Sequence, residues 1–137
     1  MSSRPGPRPV RELRLVVTAA DYDAAVAFYR DALGLPQLAD YSSEGGRVVL
    51  LEAGRATLEI VDPAQADLID RVEVGRRVSG HLRVAFEVDD AAGTTDRLAE
   101  AGAAVVAPPT RTPWSSLNAR LDAPGDLHVT LFEDLRD

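Results

Sequence analysis

Cysteine and lysine are both absent from this 137-residue chain. Without cysteine there is no disulfide, no thiolate nucleophile and no zinc–thiolate site. Without lysine there is no Schiff-base amine and no phosphate-loop lysine. All 15 basic residues are arginine, a bias that codon usage explains. No apolar run approaches the roughly 18 residues a membrane span needs. No cluster of basic residues offsets the 22 acidic ones, and a net charge of −7 argues against a nucleic-acid partner. Residues 1–9 have no apolar segment behind their positive charges, so they read as a solvated arm rather than a secretory signal. With 45% apolar and 27% charged residues, the chain suits one ordinary soluble domain with a real core. A cytoplasmic setting without a membrane partner is expected.

The chain repeats itself. The β-branched run Leu13–Val17 is followed by Asp21, a helical stretch from Tyr22 to Leu33, and Gly34. Leu82–Val88 is followed by Asp89 and Asp90, a second helical stretch to Ala101, and Gly102. Each Asp stands where a helix N-cap accepts first-turn N–H groups, and each Gly where a helix ends at positive φ. In the first helix Tyr22, Val26, Tyr29 and Leu33 recur at helical spacing. Candidate strands follow each helix: Gln37–Tyr41, Arg47–Glu52 and Ala56–Val61, then Ala104–Ala107, Leu117–Leu121 and His128–Glu133. The spacing predicts an α+β fold of two βαβββ modules, near residues 10–62 and 80–134. A connector, 63–79, holds a short helix at Ala64–Val72. Modules of about 55 residues are too small to stand alone, so they form one domain over 10–134.

This order resembles the vicinal oxygen chelate superfamily, which includes glyoxalase I, extradiol dioxygenases and bleomycin-resistance proteins. The residues that carry the likeness are Asp21, Ala27–Asp31, Leu33-Gly34, Leu58–Ile60, Phe86–Asp90, Thr112–Trp114 and Leu131–Glu133. The resemblance implies that the paired modules curl into an open, barrel-like cleft with helices outside. It also implies a homodimer, which two open sheets per chain favour independently.

Strand alternation separates the faces. Leu13, Leu15 and Val17, Val84, Phe86 and Val88, Leu58 and Ile60, and Val129 and Leu131 form apolar faces expected under the helices. The opposite faces hold Arg14, Glu59, His81, Arg83, His128 and Thr130. The resemblance places four metal ligands at Arg14, Glu59, Arg83 and Thr130, of which Glu59 alone suits a cation. Arginine has no lone pair to offer, so no metal is expected there. His81 and His128 are each displaced by two residues, roughly 6.6 Å along a strand, so a metal would need a rebuilt site.

The remaining polar residues define a candidate ligand site of Arg14, Glu59, Arg83, Trp114, Asn118, Arg120, His128, Thr130 and Tyr41. Arg14 and Arg83 around Glu59 would give a locally positive floor. That cluster is either an internal ion network or an oxygen-binding fork. Trp114 is either a loop or core anchor or a stacking wall for a planar ligand. Tyr41 is a rim candidate. No catalytic residue is assigned. The leading reading is metal-free binding of a small aromatic or oxygen-rich ligand, as in drug or metabolite sequestration. The alternative is a glyoxalase- or dioxygenase-like enzyme, with a divalent metal in a rebuilt site or with Glu59 as general base. Two neighbouring guanidinium groups would stabilise the ionised Glu59 and make it a poor base.

Overall fold

The helices begin where the sequence places side-chain acceptors. A computed structural model describes residues 14–43, 46–56, 59 and 61–136. Asp21 Oδ1 accepts from Ala24 N at 3.0 Å, Asp62 Oδ1 from Gln65 N at 2.8 Å and Asp90 Oδ1 from Gly93 N at 3.0 Å. They open α1 (Tyr22–Val26), α2 (Pro63–Glu73) and α3 (Ala91–Glu100). Helix α1 continues as a π-helical stretch over Ala27–Ala32, where Leu33 N donates to Phe28 O at 2.9 Å. Gly34 and Gly102 end the two repeated helices at φ of +90° and +113°.

Strands β1 (Gln37–Asp40) and β2 (Val49–Leu51) form an antiparallel pair. Strands β3 (Val84–Glu87), β4 (Ala104–Arg111), β5 (Ser116–Ala123) and β6 (Leu127–Asp134) form a sheet ordered β3-β6-β5-β4. Its β3–β6 contact is parallel and the others are antiparallel. Pro108 and Pro109 fall in β4, an edge strand with register shifts, where a missing N–H is tolerated.

One face of this sheet carries the core. Ala119, Leu121, Val129 and Leu131 pack with Phe28 and Leu98, so the first helix and α3 cover the same face. Phe86 and Val88 join them as expected. Tyr29 is tied to the sheet by its hydroxyl, which donates to Pro124 O at 2.7 Å, and burial pushes its pKa up to about 12.

The first module departs from expectation. Residues 14–17 form no strand, and Leu15, Val16 and Val17 are exposed rather than tucked under a helix. Leu13, Leu58 and Ile60 lie outside the described residues, and Ala56, Glu59 and Val61 carry no strand. Among the described residues no ladder pairing is formed by 14–17, Ala56, Glu59 or Val61, and extended backbone outside a ladder is not a strand.

Candidate functional site

The sheet face opposite the core looks into a half-open cleft of about 380 Å³. Registration aligns Ala85, Thr130 and Arg120 in one row across β3, β6 and β5, and Glu87, Phe132 and Asn118 in the next. Helix α2 closes one side through Gln65, Ile69 and Glu73. The β4–β5 turn closes another. Thr112 N donates to Ser116 O at 2.9 Å and their hydroxyls meet at 2.8 Å, which holds Trp114 at the mouth, 42% exposed.

Beneath the cleft lies a charged clamp absent from the expectations. Fully buried Arg120 pairs with Asp70 Oδ1 at 2.9 Å and donates from Nε to Glu73 Oε1 at 2.7 Å. Asn118 Nδ2 donates to Glu73 Oε2 at 2.6 Å. Asp70 also accepts from the backbone N–H groups of Val78 and Ser79, each at 2.8 Å, and from the Ser79 hydroxyl. Burial alone would raise the Asp70 pKa, but these donors and Arg120 hold it well below the usual carboxylate range. Arg120 Nη1 also faces His128 Nε2 at 3.2 Å. A guanidinium only donates, so Nε2 is the acceptor and Nδ1–H points to Asp122 Oδ1, 2.9 Å away.

Arg83 stands apart from this clamp. Its Nη1 donates to Thr130 Oγ1 at 2.7 Å. Burial first, and then the neighbouring Arg120 charge, hold its pKa below the usual arginine value, against the pull of Glu73, Glu59 and Asp70. It remains a cation near neutral pH. Among the described residues no carboxylate forms a salt bridge with it. The cleft therefore presents a half-buried guanidinium whose hydrogen-bonded partner is a neutral hydroxyl.

Five of the expected residues, Glu59, Arg83, Trp114, Asn118 and Thr130, meet at the cleft. Four do not line it. Arg120 is consumed by the clamp, and His128 stands behind it against Asp122. Tyr41 is exposed beyond β1, and Arg14 is exposed next to the N-terminal segment. The expected positive floor is corrected as well. Lining Glu59, Glu73 and Asp134 outnumber Arg83 and Arg136, so the positive character is local to Arg83.

The metal implied by the resemblance does not suit these residues. At the carried-over positions a guanidinium hydrogen-bonds the hydroxyl, and no three His, Cys, Asp or Glu gather among the described residues. No helix is long and apolar enough to cross a membrane among those residues.

Comparison with known proteins agrees with this fold. TnmS3, an antibiotic binding protein from Streptomyces sp. CB03234, is 25% identical with a TM-score of 0.59, over 93% of this chain and 99% of that one. A glyoxalase/bleomycin resistance protein from the same organism is 28% identical with a TM-score of 0.52, over 84% and 93%. A protein of unknown function from Agrobacterium tumefaciens str. C58 is 25% identical with a TM-score of 0.57, over 93% and 98%. No curated protein is similar enough to count as a match. The family model of the glyoxalase/bleomycin resistance protein/dioxygenase superfamily matches residues 13–134, and the chain belongs to that superfamily.

Proposed function

We propose that this protein binds a small, planar, oxygen-rich organic molecule in the cleft, as a drug- or metabolite-sequestering protein of the cytoplasm. The observation that carries this reading is Arg83, a half-buried cation at the cleft with a hydroxyl as its hydrogen-bonded partner. Such a group favours an electron-rich oxygen supplied from outside. Trp114, exposed on a pinned turn at the mouth, gives a flat ring a surface to stack on. The antibiotic-binding description of TnmS3 supports the same class of ligand. The protein works without a bound metal, because two of the four carried-over positions are arginines with no lone pair to offer, and Glu59 with the Thr130 hydroxyl fall short of a three- or four-ligand set. It acts as a homodimer.

Trp114 is the sole tryptophan, so quenching of its fluorescence reports on the cleft. Planar oxygenated aromatics should quench it saturably. Arg83→Met keeps the stem volume and leaves the Arg120 clamp whole. It should fold like wild type and lose about 1.5–3 kcal/mol of affinity, the range of a charge-assisted hydrogen bond. Unchanged affinity in a folded variant would move the site elsewhere. Elemental analysis after dialysis should find far less than one equivalent of any divalent metal. A full equivalent lost in Glu59→Gln would restore the metal reading.

A further inference from the structure

We infer that Asn118 sets ligand selectivity by demanding a hydrogen-bond donor: its side-chain oxygen accepts an O–H or N–H from a planar ligand whose carbonyl-type oxygen sits on Arg83. The inference rests on the binding reading above and deepens it. Asn118 is 7% exposed and lines the cleft, yet its Oδ1 has no hydrogen-bond partner among the described residues. The orientation of the amide is settled by chemistry. A carboxylate only accepts, so the group 2.6 Å from Glu73 Oε2 is the NH₂, and the oxygen is the amide atom left without a partner. Glu73 is itself held by Arg120 at 2.7 Å, so the amide cannot flip without facing two oxygens together.

A buried carbonyl oxygen left unpaired is costly, and a ligand donor relieves that cost. The oxygen is shielded from bulk water, so a ligand reaches it with the side-chain adjustments that binding commonly brings. Asn118 pairs with Phe132, and Thr130, the partner of Arg83, lies two residues along the same strand. Diagonal neighbours of this kind stand roughly 7–8 Å apart. That is the spacing of Asn118 from Thr130, whose hydroxyl Arg83 Nη1 meets at 2.7 Å, and a fused two-ring ligand is of the same order of length. The cleft thus offers a donor, Arg83, and an acceptor, Asn118, to opposite ends of one flat molecule. Ligands with acceptors at both ends leave Asn118 unsatisfied and bind weakly.

Three neutral coumarins test this. Coumarin supplies only the lactone carbonyl, 7-hydroxycoumarin adds a donor, and 7-methoxycoumarin replaces that donor with an acceptor. Titrations followed by Trp114 quenching, at mildly acidic pH where the hydroxyl keeps its proton, should show 7-hydroxycoumarin binding about tenfold tighter than either analogue. Asn118→Leu should erase that preference, so that 7-hydroxycoumarin and 7-methoxycoumarin bind the variant with ratios close to one against coumarin. Should the variant fail to fold, the wild-type ratios decide alone. Equal binding of all three by wild type, or a preference that survives in folded Asn118→Leu, overturns the inference and leaves the binding reading intact. Absence of saturable binding by all three overturns both.

Discussion

Asp70 shows how one side chain joins the connector to the sheet. Its carboxylate receives two backbone N–H groups, the Ser79 hydroxyl and the Arg120 guanidinium, all within the protein interior. Removing one partner of a buried pair leaves an uncompensated charge. Asp70→Asn should therefore destabilise the protein by about 3 kcal/mol, the low end of that class, because Glu73 still faces Arg120. The sign of the pH effect follows from the lowered pKa. Asp70 contributes stability that is complete above the ordinary carboxylate value of about 4 and is lost as pH falls below it. Urea denaturation at neutral pH should show the loss in Asp70→Asn. Repeated at acidic pH, it should show the two proteins converging. A constant gap across that range would mean that the charge of Asp70 is not what holds α2.

Local chemistry makes the elements of the second half legible from sequence. Capping Asp residues, terminal Gly residues and period-two alternation place α3, β5 and β6 close to where they form. Gly34 and Gly102 provide a clean test, since a Cβ built on either meets nothing within 4 Å. Any cost of Gly102→Ala is then conformational, and a φ of +113° should make it at least about 1–2 kcal/mol by thermal or chemical unfolding. A neutral substitution would show that the helix end rearranges freely. The same alternation puts Asn118 and Thr130 on one face of the sheet, and Arg83 and Glu59, outside the strands, meet them at the cleft. It could not find Asp70 and Glu73, because their partners lie far along the chain. The signal was nonetheless present: Ala66, Ile69, Asp70 and Glu73 share one helical stripe, so two carboxylates occupy positions that an amphipathic helix turns inward. The π-helical continuation of α1 left no mark in the residue pattern, although it carries Phe28 into a core built mainly by the second half.

At the scale of the whole molecule, the two halves are unequally complete. The second half closes a four-stranded sheet, whereas the first shows two paired strands among the described residues. Val16 is 84% exposed and Leu82 77%, with Leu15, Val17, Leu38 and Val48 also open to solvent. Apolar, β-branched segments beside open sheet edges are a liability that proteins cover. Both edges of the large sheet, β3 and β4, lack a neighbouring strand among the described residues. A second copy offers the same segments and the same edges, so a two-fold arrangement covers both sets at once. Sedimentation at micromolar concentration should therefore give the mass of a dimer. Val16→Asp should shift it toward monomer, because a desolvated carboxylate in an apolar contact costs several kcal/mol. The ligand measurement separates a dimer that completes the site from one that only shields the edges. Quenching of Trp114 should weaken in parallel with dissociation if the copies share the cleft, and should persist in the monomer if they do not. A wild-type monomer that binds the coumarin series normally would reject the dimer, and the exposed segment 14–17 would then need another cover.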